Sequence, residues 1–349
     1  MRRSTQASTV SPKSSTTSTP RALNCWARKV VAARALAAVA IVATFSAFAQ
    51  SYPAKPVRLV VPFPAGGGSD VVGRIVAQKL GERVGQQVIV DNRAGAGGSI
   101  GTEAVVKSPP DGYTVVLAST SEIAINPSLY SKLSYDTVKD LAAVAMVAST
   151  PMVVIIHPTF PVSTMKDLIA LAKAKPGAIN VASAGTGTIT HLSGELFRSM
   201  TGVTWTHVPY KGAPAALTDL ASGQVQVMFS SLPAAMAFIK INRVKPIAVS
   251  SRTRADALPQ IPTVIESGIS GYEVEYWYGL FAPAAIPRDA LARLGDEIAA
   301  SLKLPDMITN LGNQGAAPGR LTQAQFADFV KAEVVKWGGV VKSSGARAD

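Results

Sequence analysis

The sequence contains few of the residues that most often carry covalent, redox or metal chemistry. Among its 349 residues there are one cysteine, Cys25, and three histidines. The histidines lie far apart in the sequence, so they predict no metal site. Charged residues make up only 16% of the chain and hydrophobic residues 48%, which excludes a disordered chain and leaves ample apolar surface for one or two cores.

Acidic residues are absent from the first 49 positions, which contain seven arginines and lysines. A Ser- and Thr-rich stretch is followed by basic residues and then by an apolar run from Ala35 to Phe48. That run is shorter than the roughly 20 residues that cross a bilayer, and Ala47-Phe48-Ala49 has the small-x-small pattern of a secretory cleavage site. We therefore predict a signal peptide with an extended n-region over residues 1–49, cleaved after Ala49; an uncleaved N-terminal anchor is the alternative.

Removal of this leader changes the meaning of the net charge of +12. The seven basic residues leave with it, so the mature chain has 27 basic against 22 acidic residues and a net charge of +5. Its basic residues are spread singly, without a stripe or interleaved aromatics, so nucleic-acid binding is not expected. Cys25 is removed as well, which excludes thiol catalysis, cysteine-ligated zinc and iron–sulfur clusters.

From Val57 onward, short β-branched runs alternate with helical patterns, which predicts an α/β fold with parallel strands. One βα series runs to Ala118. A second series begins with a predicted helix over Met165–Ala174 and runs to Ser250, followed by two terminal helices, Arg288–Leu302 and Gln323–Val341. Two apolar stretches follow the first series, Leu141–Ser149 and Met152–His157, and Pro151 separates them. The chain is predicted to cross between the lobes near Ser149–Val154 and near Tyr272–Ala282, and core packing is favoured for Trp277 in the second crossing. The predicted organisation is a first lobe over residues 50–150, a second lobe over 151–271, and a return to the first lobe over 272–349.

The strongest local motif is a glycine-rich loop after the first predicted strand, Val60-Val61-Pro62-Phe63-Pro64-Ala65-Gly66-Gly67-Gly68-Ser69-Asp70. Three glycines allow the backbone to approach a ligand, and we expect Ser69 or Asp70 to cap the helix that follows. The free N–H groups and dipole of a helix start favour anions. The loop has no Gly-Lys-Ser/Thr and is not a nucleotide-binding P-loop. An ordinary tight turn between strand and helix is the alternative.

Two further loops are rich in hydroxyl groups. Ser183-Ala184-Gly185-Thr186-Gly187-Thr188-Ile189-Thr190-His191 leads from a strand into a helix, and its short hydroxyl donors suit carboxylate oxygens. For His191 alone, a core or capping role is an equal alternative. Ser119-Thr120-Ser121 follows the third strand at its carboxyl end, where ligands bind in open α/β sheets. We therefore predict that Ser119 and Thr120 join the site.

One motif favours a different class of function. Gly97-Gly98-Ser99-Ile100-Gly101 spells the nucleophile-elbow pattern of serine hydrolases. An elbow requires the serine directly after a strand, whereas the strand here ends near Asp91. A secreted hydrolase that uses Ser99 is therefore kept only as an alternative.

Six separated motifs, in order, resemble those of the substrate-binding proteins of tripartite tricarboxylate transporters, also called the Bug family. The motifs are Pro62–Asp70, Val90–Gly101, Pro110–Thr114, His191–Phe197, Val208–Gly212 and Leu258–Thr263. The resemblance implies a two-lobed periplasmic binding protein of the type II, Venus flytrap kind, with two crossover strands at the hinge. It also implies a periplasmic location and no enzymatic activity.

The resemblance further implies a small organic carboxylate as ligand, no cofactor, and a monomer that serves a membrane permease or, alternatively, a sensor kinase. One jaw of the site would comprise Phe63, Ala65, Gly66, Gly67, Ser69 and Asp70. The other would comprise Ser183, Gly185, Thr186, Thr188 and His191. Ser230 stands where relatives often have Asp, which would pair with an amino group. We therefore place Ser230 in the site and expect a non-amino dicarboxylate or an aromatic acid.

Overall fold

The structure is a computed structural model that describes residues 52–348. The predicted signal peptide and its cleavage after Ala49 lie outside these residues. Within them, no helix combines the length and the apolar character that a membrane crossing needs. The strands are β1 (Val57–Val61), β2 (Val88–Asn92), β3 (Thr114–Ser119), β4 (Leu141–Ile156), β5 (Asn180–Ser183), β6 (Thr206–Pro209), β7 (Val227–Ser231), β8 (Lys245–Val249), β9 (Glu275–Pro283) and β10 (Ala317–Pro318).

The helices cover both faces of these strands. They are α1 (Gly68–Val84), α2 (Ser99–Val106), α3 (Asn126–Leu129), α4 (Met165–Ala174), α5 (Ile189–Thr201), α6 (Ala213–Ala221), α7 (Leu232–Lys240), α8 (Arg288–Ser301), α9 (Pro305–Gly312) and α10 (Gln323–Ser344). The predicted helix Met165–Ala174 is confirmed at both ends. Its start is fixed because Thr164 and Asp167 form a reciprocal capping box.

The strands form two sheets that share β4. The first sheet has the order β2-β1-β3-β9-β4-β10, and the second has the order β6-β5-β7-β4-β8. In each sheet the strands that precede helices pair in parallel, whereas β4 and β9 run antiparallel to their neighbours. The expectation of parallel strands therefore holds within each βα series and is wrong for the two crossing strands. We call the part built on each sheet a lobe.

β4 is one strand of 16 residues, not the two strands separated by Pro151 that the sequence favoured. Pro151 faces Glu275 at the end of the first-sheet ladder, and Met152 starts the second-sheet ladder opposite Ser231. The N–H that proline lacks therefore falls where the strand changes sheet, and the ladder tolerates its absence. The boundaries predicted for the two lobes stay a prediction.

The sequence did not predict α3, α9, the short β10, a 3-10 turn over Ala96–Gly98, or one turn of π-helix over Ser121–Ile125 after β3. The terminal helix α10 packs against that turn and against β4. It is fixed to β9 by Glu333, whose Oε2 accepts hydrogen bonds from the indole N–H groups of Trp277 and Trp337, each at 3.0 Å. Trp277 is thus a core residue, as the sequence favoured.

Candidate functional site

The glycine and hydroxyl loops meet between the lobes, at the carboxyl ends of β1, β5 and β7. A small inner cavity of about 30 Å³ lies at the centre, roughly the volume that one water molecule occupies in the liquid. It is lined by Phe63, Pro64, Gly67, Gly68, Ser69, Ser121, Ala184, Thr188, Ile189, Thr190, Ala213, Ser231 and Tyr276. The inner cavity has space for a ligand oxygen or an ordered water but not for a whole dicarboxylate.

A larger outer cavity of about 500 Å³ shares Phe63, Pro64 and Ala184 with the inner one. Its other walls are Ala94–Gly98, Tyr130, Gly185, Thr186, Tyr210, Lys211, Gly212 and Ala348. This volume is within the range of small-molecule sites. Lys211 is the one charged side chain among the described residues that line either cavity.

Four helices begin at the inner cavity. Gly68 of α1, Ile189 of α5 and Ala213 of α6 line it, as does Ser231, the residue just before α7. The first N–H groups of a helix have no intrahelical acceptor, and each helix start carries about half a positive charge. The inner cavity is therefore a neutral but electropositive site, built from N–H and O–H donors, which suits a carboxylate.

The loop between β1 and α1 is held by Asp70. Its Oδ2 accepts hydrogen bonds from Gly66 N at 2.9 Å and Arg74 Nε at 3.0 Å, and its Oδ1 from Asn92 Nδ2 at 3.1 Å. Burial raises the pKa of Asp70, but these donors outweigh burial and hold it below its usual range. Gly66 has a φ of +80°, a conformation that side chains other than glycine rarely adopt.

The prediction that Ser69 or Asp70 caps α1 is wrong. The helix begins one residue earlier, at Gly68, and Gly67 precedes it without a side-chain cap. Gly68 is needed because a Cβ there would lie 2.5 Å from Ser231 Oγ and 2.7 Å from Tyr278 Oη. The helix start can therefore approach the second lobe closely only with glycine at this position.

The hydroxyl loop before α5 is ordered by its own side chains. Thr190 Oγ1 accepts from Ala184 N at 2.8 Å and contacts Thr188 Oγ1 at 2.8 Å. Thr188 Oγ1 also donates to Gly185 O at 2.7 Å. Across the cleft, Ile189 N donates to Ser121 Oγ at 3.1 Å. The loop is therefore rigid, and one of its N–H groups already joins the two lobes.

His191 lies behind this loop and stacks on His207, with ring centroids 3.9 Å apart. Its Nδ1 accepts from Gly187 N at 3.1 Å, while His207 Nε2 lies 2.7 Å from Ser183 Oγ, which itself accepts from Gly185 N. Burial, the neighbouring imidazole and Arg198 lower the pKa of His191 to about 3. The pair therefore acts as a neutral support for the loop.

The predicted site residues divide into two groups. Phe63, Gly67, Ser69 and Thr188 line the inner cavity, and Gly185 and Thr186 line the outer one. The others line neither cavity: Ala65, Gly66, Asp70, Ser119, Thr120, Ser183, His191 and Ser230. Most of this second group holds the loops in place, as Asp70 and His191 do. Ala65 is exposed at the rim.

The hydroxyls at the ends of β3 and β7 do not all face the cavity. Ser119 and Thr120 are fully buried, and Thr120 Oγ1 accepts from Trp277 N at 3.2 Å. Ser230 is also fully buried and donates to Ser231 O at 3.2 Å. Because Ser230 does not line either cavity, no contact supports the ligand class that we expected from this residue. Their neighbours Ser121 and Ser231 line the inner cavity instead. Side chains alternate between the two faces of a strand, so the sequence could have indicated that Ser231 faces the cavity when Ser230 does not. The π turn that places Ser121 at the cavity has no sequence signal.

Tyr276 was missed because the sequence places it in a crossing strand rather than in a loop.

The hydrolase alternative is not supported by the geometry. Ser99 Oγ accepts from Asn126 Nδ2 at 2.9 Å, and the hydrogen bonds of the three imidazoles go to Thr159, Gly187 and Ser183. Among residues 52–348 there is also no group of three acidic, histidine or cysteine side chains that could hold a metal ion.

Comparison with known proteins gives consistent matches along the chain. The family model described as "Tripartite tricarboxylate transporter family receptor" matches residues 72–346. Protein BugT of Bordetella pertussis is 36% identical over 300 residues, which cover 86% of this chain and 92% of BugT.

Two solved structures are similar in sequence and in fold. The R. palustris protein Rpa4515 with adipate has a TM-score of 0.83 at 35% identity, covering 85% of this chain and 99% of that one. MatC (Rpa3494) from Rhodopseudomonas palustris with bound malate has a TM-score of 0.79 at 30% identity, covering 83% of this chain and all of that one.

Proposed function

The chain belongs to the tripartite tricarboxylate transporter receptor family, and from this we propose that it captures a small organic carboxylate in the cleft between its lobes. The family comprises solute receptors with the two-lobed fold of periplasmic binding proteins, so the protein is a binding protein and not an enzyme. The observation that carries the proposal is the convergence of four helix starts on the uncharged inner cavity. Fixed N–H and O–H donors there replace the water around a carboxylate.

The ligand extends through both cavities. One carboxylate lies where the two cavities meet, with one oxygen in the inner cavity against the starts of α1 and α5, and with Phe63, Gly67, Ser69 and Thr188 as contacts. The remainder extends past Gly185 and Thr186 into the outer cavity. Neither lining includes an Asp or Glu of the described chain, which disfavours an amino-acid ligand because an ammonium group would have no partner. Adipate and malate, which occupy the two similar structures, are the first ligands to test.

The protein is exported to the periplasm, with cleavage after Ala49, and works as a monomer that delivers its ligand to a membrane permease of the tripartite class. Purified from the periplasm, the chain is expected to begin at Gln50. Ligand-dependent capture of the permease supports this role. Capture of a sensor kinase in its place would assign the protein to signalling.

The test of ligand class is a thermal-shift and calorimetric panel of mono-, di- and tricarboxylates, each with its methyl ester as a neutral control. We expect at least one acid to raise the melting temperature and its ester to have no effect. Equal responses to acid and ester, or a response to none of the acids, would contradict carboxylate capture.

A further inference from the structure

A carboxyl group lies fully buried directly behind the inner cavity. Glu122 belongs to the π-helical turn after β3 and has no solvent exposure. Its Oε1 is 2.6 Å from Ser119 N, which donates to it, and its Oε2 is 2.7 Å from Ser119 Oγ. The pKa of Glu122 is affected by its burial, by these two hydrogen bonds and by its own backbone N–H, and by no lysine or arginine of the described chain.

A chain of hydrogen bonds connects this carboxyl group to the cavity wall. Ser119 Oγ is 2.9 Å from the hydroxyl of Tyr276, which lines the inner cavity with Ser69 and Ser121. The distances fix these contacts, whereas the direction of each bond depends on where the hydrogens are. Every hydroxyl in the chain can donate or accept, so all the bonds can reverse together.

The surroundings of Glu122 favour its neutral form. Burial raises its pKa to about 8, because a charge without a cationic partner is costly in the interior. The titratable groups facing it are the hydroxyls of Tyr135, Tyr276 and Tyr278, whose own pKa values burial also raises. On α10, which packs against the same turn, the buried carboxylate of Glu333 is already bonded to two indoles and to Lys336.

We propose that Glu122 is a positioning residue whose proton sets the direction of this chain, and thereby whether Tyr276 offers a hydrogen or a lone pair to the bound carboxylate. The inference rests on the proposed function, because it concerns the same site. With Glu122 protonated, Oε2–H donates to Ser119 Oγ, Ser119 donates to Tyr276 Oη, and the Tyr276 hydrogen is directed away from Ser119, toward the cavity wall where Ser69 and Ser121 also interact with this hydroxyl.

With Glu122 ionised, every bond reverses. Tyr276 donates to Ser119, Ser119 donates to Glu122, and the oxygen of Tyr276 faces the ligand oxygens with lone pairs only. Carboxylate capture by the ionised protein therefore takes up one proton from the solvent, which is retained on Glu122, and no other group is transferred.

This linkage predicts a specific dependence on pH. Both carboxyls of a simple dicarboxylate are essentially ionised from about pH 6.5 upward, so a change in affinity above that pH comes from the protein. For a group with a pKa of about 8 that must be protonated, the Kd rises roughly 30-fold between pH 6.5 and pH 9.5. Proton uptake on binding rises over the same interval from about zero to about one per ligand.

The experiment is isothermal titration of adipate and malate into the wild-type chain at both pH values, in pairs of buffers that differ in ionisation enthalpy. The decisive variant is Glu122→Gln, whose amide Nε2–H donates to Ser119 Oγ while its oxygen accepts from Ser119 N, as the protonated acid does. Its Kd is expected to change less than twofold with pH and to be at least about tenfold below the wild-type Kd at pH 9.5.

Glu103→Gln, at a surface ion pair with Lys107, is the matched control and is expected to keep the wild-type pH profile. Every other titratable group is retained in Glu122→Gln, so the difference between the profiles isolates Glu122. If Glu122→Gln does not fold, the inference is tested by the proton uptake of the wild-type chain alone, measured in the paired buffers. Binding without uptake at pH 9.5, or a variant profile equal to that of the wild type, overturns the inference and leaves carboxylate capture intact. Failure of both acids to bind at any pH overturns the proposed function and the inference with it.

Discussion

The imidazole of His191 lies face to face with that of His207, with ring centroids 3.9 Å apart and planes inclined by 18°. Two imidazolium cations cannot stack in this way without strong repulsion, and burial lowers the pKa of both His191 and His207, so both rings are neutral near pH 7. Each ring fixes one end of the loop that lines the cavities, through Gly187 N and Ser183 Oγ. Loop geometry and the protonation of the pair are therefore linked.

This linkage predicts a loss of stability in mild acid. Burial lowers the pKa of native His191 to about 3, whereas an unfolded histidine has a pKa near 6.5. Between these values the unfolded chain binds more protons, so stability falls as pH decreases through 6.5. His191 alone is expected to contribute about 2 kcal/mol to the loss between pH 7 and pH 5.

Urea unfolding of His191→Gln at the two pH values measures this contribution. Glutamine can still accept from Gly187 N but does not titrate, so its loss is expected to be about 2 kcal/mol smaller than that of the wild type. His157→Gln, the same substitution at the end of β4, where the ring contacts Thr159, is the control. Equal pH dependence in wild type and His191→Gln would show that the pair does not hold the loop in the neutral form.

Ser121 Oγ accepts the N–H of Ile189 from the other lobe at 3.1 Å, so we expect Ser121 to contribute to closure of the cleft. In Ser121→Ala the closed form contains an unpaired N–H, which costs about 1–3 kcal/mol, whereas an open cleft lets water satisfy it. Carboxylate affinity is expected to fall roughly 5- to 150-fold with little change in melting temperature of the free protein.

Calorimetry together with small-angle scattering of the free and loaded protein checks this prediction. Ser108→Ala, whose Oγ bonds locally to Val105 O, is the matched control. An unchanged affinity in Ser121→Ala would mean that the bond between the lobes does not contribute to closure.

Much of this architecture could be predicted from the sequence. The glycine loop before Ser69 and the hydroxyl loop around Thr188 were located correctly at strand ends, because glycine and short hydroxyl residues are strong local signals. β4 was divided at Pro151 because local propensity does not reveal that one strand can serve two sheets.

The remaining site residues depend on tertiary packing. Tyr276 reaches the cavity from a crossing strand, Ser121 from a π turn, and His207 acts through His191. None of these roles could be predicted from the residue pattern of the strand or turn that contains the residue. Asp70 and Ser183 lie in the predicted loops but bind backbone N–H groups instead of lining the cavities, a distinction that only side-chain directions provide.

The central claim is that a carboxylate is held against the start of α1, where Gly68 closes the inner cavity. The most direct measurement is the Kd of adipate and malate for the wild type, Gly68→Ala and Gly339→Ala, by titration calorimetry at pH 7. A Cβ at Gly68 would lie 2.5 Å from Ser231 Oγ, whereas a Cβ at Gly339 of α10 has nothing within 4 Å. Hydrogen bonds to a charged group contribute about 1.5–3 kcal/mol each, so Gly68→Ala is expected to weaken binding roughly 100-fold or more while Gly339→Ala binds like the wild type. Equal affinity in all three proteins would contradict the account.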